Sequence, residues 1–306
     1  MISLPPGPHG GDAGRLAGLL GVAVNEILDL SVSLNPLAPD PTPVISRHLD
    51  AIGRYPDDHL ATAALAEVLG VDPARLLLTN GGAEAIALVA QLHPTGWADL
   101  CDFSLYRGHL RAIDPDGPRW MSDPHNPTGR LAAADKRAFV RDEAFYPLAT
   151  GTWTRNDPAT IVVGSLTKVF ACPGLRIGYV VAPDDGTAER LRELRPRWSV
   201  NGLIAEALPE LLERADLAAW TVGIAQLRNQ LDDLLLHFGL KSEPGSANFL
   251  WLPNAPDLRQ RLLEHRVLLR SGASFGHPDA VRIAVPSADG LARLETALAA
   301  NEHLDA

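Results

Sequence analysis

The chain has 306 residues, of which 46% are apolar, and carries a formal net charge of −10 at pH 7. A chain of this length can bury a substantial core and exceeds the usual size of a single domain. The negative charge argues against nucleic acid or an anionic membrane as the main partner, although it permits a local basic pocket for an anionic metabolite. Two cysteines give no disulfide framework, no apolar run approaches membrane-spanning length, and the start lacks a signal-peptide pattern. We therefore expect a cytoplasmic protein.

The first part of the chain predicts an irregular arm followed by strands and helices. Residues 5–11 are rich in proline and glycine, residues 28–34 are strand-like, and residues 59–69 form an Ala- and Leu-rich helix. An apolar run then enters Thr79-Asn80-Gly81-Gly82-Ala83-Glu84, and a helix is predicted at 85–91. Because a helix N-terminus offers free backbone N–H groups and the positive end of its dipole, this junction predicts an anion site.

A lysine follows the strongest strand pattern of the chain. Residues 161–180 read IVVGSLTKVFACPGLRIGYV, in which a buried strand ends at Gly164 and Lys168 comes soon after. The carboxyl edge of such a sheet is the usual ligand site of α/β proteins. There the lysine amine is desolvated, which lowers its pKa and frees its lone pair to form a Schiff base. Ser165 and Arg176 supply donors suited to a phosphate. A lone S-x-x-K pattern, by contrast, is more typical of a surface loop.

The last third of the chain predicts two amphipathic helices and then an α+β unit. The helices span 203–212 and 217–238, and the later pattern alternates strands and helices to the end of the chain. Arg270 and Arg282 lie on adjacent predicted strands. A guanidinium suits a carboxylate better than an ammonium does, because it offers a planar fork of donors.

Three strings resemble the pyridoxal-phosphate (PLP) enzymes that have the aspartate-aminotransferase fold. They are S-L-T-K-x-F-x-x-P-G-L-R-I-G-Y from Ser165, D-P-H-N-P-T-G from Asp123 and D-E-A-F from Asp142. The resemblance implies an α/β PLP-dependent transferase fold, with a mostly parallel large-domain sheet flanked by helices and a small α+β domain. It places the large PLP-binding domain at 46–225, and the small domain with its N-terminal arm at 1–45 and 226–306.

The resemblance also implies a role for each matching residue, with pyridoxal 5'-phosphate as the cofactor and no metal. Lys168 would hold the cofactor and shuttle protons, Asp142 would pair with the pyridine nitrogen and Asn126 would donate to the phenolic oxygen. Tyr55 would reach the cofactor of the neighbouring subunit, which implies a homodimer. The remaining implied cofactor contacts are Gly82, Ala83, Ser165 and Arg176 at the phosphate, Phe103 stacked on the ring, and Tyr106 beside it. Phe103 and Tyr106 could equally be core residues.

Four residues are implied as substrate contacts: His9, Asn35, Arg270 and Arg282. Arg282 would grip the substrate carboxylate, and Arg270 would be a second anion contact. His9 lies in an H-G-G arm and Asn35 in an N-P-L-A-P segment, and both segments resemble the decarboxylase branch of the family. The chain departs from the family pattern at several positions. Ser33 stands where the family usually has Asn, and Ala38 where it has Gly. Ala83 stands where the family often has Ser, and Pro286 where branch members often have Arg.

The arm, Phe145 in place of the usual tyrosine, and Trp198-Ser199-Val200-Asn201 favour a threonine-phosphate decarboxylase that makes the aminopropanol phosphate of cobalamin synthesis. The alternatives are an aminotransferase of the histidinol-phosphate or aromatic type and a non-enzymatic PLP-fold scaffold. The segments 107–121 and 130–141 are shorter than the family pattern, and parallel strands normally need crossovers of about a dozen residues. We therefore expect a trimmed large-domain sheet that lacks about one strand–helix unit, with room for about one helical turn before Asp142.

Overall fold

The computed structural model describes residues 3–7 and 9–302, except for the side chains of 301 and 302. The strands in this part of the chain are β1 (Leu28–Leu30), β2 (Leu76–Thr79), β3 (Thr95–Gly96), β4 (Ala112–Ile113), β5 (Trp120–Ser122), β6 (Val140–Asp142), β7 (Ile161–Ser165), β8 (Gly178–Val181), β9 (Phe249–Leu252), β10 (Val267–Ser271) and β11 (Val281–Ala284). The α-helices are α1 (Ala13–Leu20), α2 (Thr42–Ser46), α3 (His59–Leu69), α4 (Gly82–Leu92), α5 (Ser104–His109), α6 (Tyr146–Thr150), α7 (Leu166–Val169), α8 (Asp185–Leu194), α9 (Gly202–Glu213), α10 (Leu217–His237), α11 (Leu258–Leu262) and α12 (Ala288–Glu302). Among the described helices, none has the length and apolar character needed to cross a membrane.

A five-stranded sheet forms the centre of the larger half, in the order β2-β8-β7-β6-β5. β5, β6 and β7 are parallel, whereas β8 runs antiparallel to both of its neighbours. Every residue of β7 is buried, as expected for a strand covered by helices on both faces. Ser122, Asp142 and Ser165 are the last residues of the three parallel strands. Their side chains therefore lie along one edge of the sheet, where α/β proteins bind ligands.

The side of the sheet next to β5 is reduced. β3 and β4 contain two residues each and pair with one another. A single bridge between Trp97 and Arg119 connects this pair to β5. No helix forms between Gly129 and β6, so the expected helical turn is absent from this described segment. The trimming of the sheet thus takes the form of two shortened strands and one crossover without a helix.

A four-stranded sheet, in the order β1-β10-β11-β9, forms the smaller half. β1 is parallel to β10 and the other pairs are antiparallel. Arg270 and Arg282 are directly paired across β10 and β11, so their side chains lie on the same face of the sheet.

Helix α10 passes from one hydrophobic core to the other. Trp220 and Ile224 pack in the core of the larger half, whereas Leu231 and Leu235 pack in that of the smaller half. The change of core lies close to the proposed domain boundary at residue 225, which therefore falls within this helix.

Candidate active site

A cavity of about 190 Å³ lies at the carboxyl edge of β5, β6 and β7 and is closed on its other side by residues of the small sheet. Most of the predicted site residues line it. They are His9, Gly82, Ala83, Phe103, Asn126, Asp142, Ser165, Lys168, Arg176, Arg270 and Arg282. Three predicted residues do not line the cavity: Asn35, Tyr55 and Tyr106.

Lys168 reaches the cavity from the short helix α7, which begins directly after β7. Burial lowers the pKa of its amine to about 8, with further lowering from the positive charges of Arg282 and Arg176. A substantial fraction of the amine is therefore neutral at mildly alkaline pH. A neutral amine is the form that attacks a carbonyl, so the position and pKa of Lys168 suit Schiff-base chemistry.

The start of α4 forms an anion cradle with its neighbours. Gly81 is the N-cap residue with a φ of 80°, and no side chain caps this end of the helix. This positive φ favours glycine, and a Cβ at Gly81 would also displace the guanidinium of Arg176. Ser165 Oγ lies 2.8 Å from Thr167 Oγ1, and both hydroxyls line the cavity. Among the described residues, no carboxylate pairs with Arg176, whose charge is therefore available to a phosphate.

Asp142 ends β6 and is buried, with 8% of its surface exposed. Burial raises its pKa to about 6, although a hydrogen bond of 2.9 Å from the Ala144 N–H to Oδ1 lowers it in part. A buried carboxylate is stabilised by a nearby cation. The protonated pyridine nitrogen expected from the sequence is such a cation.

Tyr106 has a different place from the predicted one. Its ring is buried behind Phe103, with the two ring centroids 5.7 Å apart and nearly perpendicular. Its hydroxyl donates a hydrogen bond of 2.8 Å to Oδ2 of Asp142. Tyr106 therefore supports Asp142 and does not line the cavity, whereas Phe103 does. The two residues are 36 positions apart in the chain, so no local sequence pattern indicates this contact.

Asn126 is held by a polar chain that the sequence did not reveal. Its N–H donates to Ser122 Oγ at 2.8 Å, and Ser122 Oγ in turn donates to Oδ1 of Asp102 at 2.5 Å. Nη1 of Arg282 donates to Oδ1 of Asn126 at 2.6 Å. The amide NH₂ of Asn126 is left to donate into the cavity.

Arg282 and Arg270 place two positive charges side by side in the lining of the cavity. The guanidinium of Arg282 lies 4.6 Å from the ring centroid of Phe249, and its Nε is buried without a hydrogen-bond partner. Nη2 of Arg270 donates to Ser274 Oγ at 2.6 Å. Burial lowers the pKa of Arg282 to about 9 and that of Arg270 to about 10. Two buried adjacent guanidiniums favour a ligand that carries anionic groups.

The N-terminal arm closes the cavity beside these arginines. The ring of His9 lies 5.6 Å from that of Phe103. Burial lowers the pKa of His9, and the charge of Arg270 lowers it further. The N–H of Gly11 donates to Ser31 Oγ at 2.9 Å, which fixes the arm against the end of β1. Ser33 Oγ lines the cavity, is buried and has no hydrogen-bond partner, so it is a further candidate contact that the sequence marked only as a departure.

Asn35 is not a substrate contact in this structure. Its Nδ2 donates to the carbonyl of Val169 at 3.0 Å, and its N–H donates to the carbonyl of Lys168 at 3.0 Å. Its Oδ1 accepts from the Leu37 N–H at 3.0 Å. Since these bonds engage the whole side-chain amide with backbone, Asn35 anchors the segment that carries Lys168.

Tyr55 lies on the surface, where 79% of it is exposed. Its ring stacks on that of Trp198 with a centroid distance of 4.5 Å. It contributes nothing to the cavity of its own chain, and its expected contact with a neighbouring subunit stays a prediction.

The cavity fits the cofactor expected from the sequence. It combines a lysine amine, an uncapped helix N-terminus with a hydroxyl and a guanidinium, a buried carboxylate and the aromatic ring of Phe103. These groups match an aldehyde, a phosphate, a pyridine nitrogen and a flat ring, respectively. In the described part of the chain, no three His, Cys, Asp or Glu side chains are grouped so as to hold a metal ion.

Comparison with known proteins agrees with this arrangement. The profile of the family "Aminotransferase class I and II" matches residues 120–298. A threonine-phosphate decarboxylase of Salmonella typhimurium is 33% identical, with 95% of each chain covered. That alignment spans 356 positions, more than the 306 residues of this chain, so the relative contains segments that are absent here.

Two further proteins resemble the chain. A histidinol-phosphate aminotransferase of Dechloromonas aromatica is 29% identical, with 93% of this chain and 92% of the relative covered. A histidinol-phosphate aminotransferase of Sinorhizobium meliloti, solved in complex with pyridoxal-5'-phosphate, has the same fold with a TM-score of 0.81 at 21% identity. That match covers 97% of this chain and 94% of the solved one.

Proposed function

We propose that this chain, which belongs to the class I and II aminotransferase family, decarboxylates L-threonine O-3-phosphate or a closely similar amino acid phosphate. Family membership makes the protein an enzyme of this class, with pyridoxal 5'-phosphate as its cofactor. The choice of substrate rests on the direct pairing of the buried Arg270 and Arg282 in a small cavity. A small amino acid that bears both a carboxylate and a phosphate offers one anion to each guanidinium.

The cofactor, when bound, supplies an electron sink that stabilises the carbanion left by the loss of CO₂ or of a proton. The side chains of this protein hold and orient the reactants. Lys168 would provide the amine that carries the cofactor and, after loss of CO₂, would donate a proton to the α-carbon. Asp142 would stabilise the protonated ring nitrogen, Asn126 would donate to the ring oxygen, and Phe103 would pack on the ring.

A phenylalanine that lines the same cavity as Asn126 supports a decarboxylase rather than an aminotransferase. Phe145 is buried, lines the cavity and packs edge-on against Phe249 at 5.0 Å. The aminotransferases that the chain resembles usually have a tyrosine here, whose hydroxyl is a second contact for the ring oxygen. In this chain Asn126 is therefore the principal donor to that oxygen.

An aminotransferase of the histidinol-phosphate type is the second candidate, favoured by relatives such as the Dechloromonas aromatica protein. Histidinol phosphate carries a phosphate but no carboxylate, so it would leave one of the two guanidiniums without an anion. Glutamate, the usual amino donor, would fill both guanidiniums with its two carboxylates. The arginine pair therefore supports a dianionic substrate, and Phe145 at the position of the usual tyrosine is the feature that favours decarboxylation over transamination.

The test is a product analysis with L-threonine O-3-phosphate, in the presence and absence of 2-oxoglutarate. A decarboxylase releases CO₂ and aminopropanol phosphate without the acceptor. Formation of glutamate that requires the acceptor, with no release of CO₂, would establish the aminotransferase instead. The Lys168→Ala variant is the control for substrate turnover that does not depend on the amine of Lys168.

The same proposal includes a homodimer in the cytoplasm that supplies aminopropanol phosphate for cobalamin synthesis. Several apolar side chains near Tyr55 in the chain are exposed, Ile52 to 71% and Leu60 to 74%, and Trp198 stacks on Tyr55. A second copy of the chain that covered this patch would bury it and bring Tyr55 to the neighbouring cofactor phosphate. Both cysteines are free thiols, in keeping with a reducing compartment.

A further inference from the structure

Two arginines, Arg141 buried and Arg155 partly buried, lie beneath the crossover that has no helix. The side chain of Arg141 on β6 is 0% exposed and that of Arg155 is 12% exposed. Both donate to Oδ2 of Asp123, at 2.9 Å from Arg141 and 3.1 Å from Arg155. Both also pair with Asp157, at 2.8 and 3.1 Å respectively. Asp123 is therefore fixed by two charged hydrogen bonds, three residues before Asn126.

Arg155 also holds the backbone of the crossover. Its guanidinium donates to the carbonyls of Ala132 at 3.3 Å, Ala133 at 2.9 Å and Ala134 at 2.7 Å. In a crossover helix such carbonyls would accept from the N–H groups of the following turn. Here the guanidinium takes the place of those donors. The same loop is tied back to the strand end, because the Ala132 N–H donates to Oδ1 of Asp123 at 2.9 Å.

One turn closed by backbone hydrogen bonds connects the crossover to the cavity. The His125 N–H donates to the carbonyl of Arg130 at 2.8 Å, and the Gly129 N–H donates to the carbonyl of His125 at 2.6 Å. The turn that presents Asn126 is thus bounded on one side by Asp123 and on the other by Ala132. Arg155 contacts both of these boundaries.

We propose that Arg155 is a positioning residue for Asn126: it holds Asp123 and the helix-free crossover so that the amide of Asn126 stays fixed towards the ring oxygen of the cofactor. Arg141 is anchored in the sheet itself and contacts the crossover only at the Lys136 carbonyl, at 2.8 Å. Arg155 touches three successive carbonyls, which makes it the residue whose loss frees the loop. The inference rests on the cofactor site and not on the reaction that the enzyme performs.

The test uses apoprotein and pyridoxal 5'-phosphate without substrate, so its outcome is independent of whether the enzyme is a decarboxylase. The variants are Arg155→Met, Asn126→Ala and their combination. Two quantities are measured for each variant: the affinity for the cofactor and the pH midpoint of the visible absorption of the lysine-bound cofactor. Arg119→Met is the matched control, because Arg119 pairs with Asp99 at 3.1 Å and stacks on Trp97 on the same sheet, at the end of β5 away from the site.

We expect Arg155→Met and Asn126→Ala each to weaken cofactor binding about tenfold, the size of one lost charge-assisted hydrogen bond. The pH midpoint of the visible absorption should move in the same direction in both variants. The double variant should be no more than about threefold weaker than Asn126→Ala alone, because both changes remove the same contact. Arg119→Met should alter neither quantity.

Two results would overturn the proposal. One is multiplication of the two effects to about a hundredfold in the double variant, which means that Arg155 acts independently of Asn126. The other is a lowered melting temperature of Arg155→Met with unchanged cofactor affinity and pH midpoint, which means a role in stability alone. If Arg155→Met does not fold, Arg155→Lys enters the same cycle, since it keeps the charge but cannot span Asp123 and three carbonyls.

Discussion

The hydroxyl of Tyr106 donates a hydrogen bond of 2.8 Å to Oδ2 of Asp142, a buried carboxylate that lines the cavity. The phenol is fully buried, and burial raises its pKa well above the usual value, so it remains a donor at every pH at which the enzyme works. The bond favours the ionised carboxylate and thus opposes the effect of burial on Asp142. Tyr106 therefore helps to keep Asp142 charged.

Replacement of Tyr106 by phenylalanine should make activity more sensitive to acid. Without the donor, the pKa of Asp142 rises further, so the carboxylate is protonated at a higher pH and its hold on the ring nitrogen weakens. We expect kcat/KM to fall about tenfold near pH 6 and less near pH 8, as measured by a pH–rate profile. Tyr179→Phe is the control, a buried tyrosine of β8 outside the cavity. Parallel profiles for wild type and Tyr106→Phe would contradict this role.

Asp142→Asn should stabilise the apoprotein while removing activity. The pKa of Asp142 is about 6 in the folded protein, above the ordinary value of 3.8, so the folded state binds this proton more tightly than the unfolded state does. Stability therefore falls as pH rises from about 4 to 6 and stays lower above that range. Asparagine does not ionise and avoids this loss, which amounts to roughly 2 to 3 kcal/mol at most.

Thermal melting of the apoproteins at two pH values tests this prediction. At pH 8 the Asp142→Asn protein should melt a few degrees above wild type. Near pH 4, where Asp142 is protonated, the difference should vanish. A variant that melts below wild type at pH 8 would show that the charge of Asp142 is not destabilising.

The fold class came from the resemblance of three strings to a known family, whereas local patterns indicated two parts of the candidate site. Strand, glycine and helix order indicated an anion site at the start of α4, and the string around Lys168 indicated the amine, because the residues of each part lie next to each other in the chain. Contacts between distant segments left no such pattern. The bond from Tyr106 to Asp142 and the engagement of Asn35 by backbone near Lys168 depend on how strands and loops pack. The length of the crossover indicated a shortened segment with about one helical turn, but local sequence showed neither the absence of that turn nor the guanidinium of Arg155 that supports the loop.

Attachment of the cofactor should depend on the ionisation of Lys168. Since the pKa of its amine is about 8, the neutral form increases as pH rises through that value. Reconstitution of the apoprotein, followed by visible absorption, should therefore accelerate with a midpoint near pH 8. Arg282→Met removes a neighbouring positive charge, so the pKa of Lys168 rises and the midpoint moves to higher pH. A rate that does not change between pH 7 and 9 would contradict this assignment.

Tyr55 should act in the partner subunit, which a mixing experiment can show. Lys168→Ala and Tyr55→Ala proteins are each expected to have low activity. In a mixed dimer, one site then combines the intact Lys168 of one chain with the intact Tyr55 of the other. Activity should thus recover when the two proteins are unfolded, mixed and refolded together. No recovery, with mixed dimers demonstrated by differential tags, would mean that Tyr55 does not act across an interface.

The most direct measurement is the fate of the substrate carboxyl carbon. L-threonine O-3-phosphate labelled at that carbon is incubated with the holoenzyme without any keto acid, and the labelled CO₂ is quantified against the substrate consumed. The account predicts one labelled CO₂ for each substrate molecule consumed by wild type, and none with Lys168→Ala. Retention of the label in a product that forms only when 2-oxoglutarate is added would contradict the decarboxylase assignment.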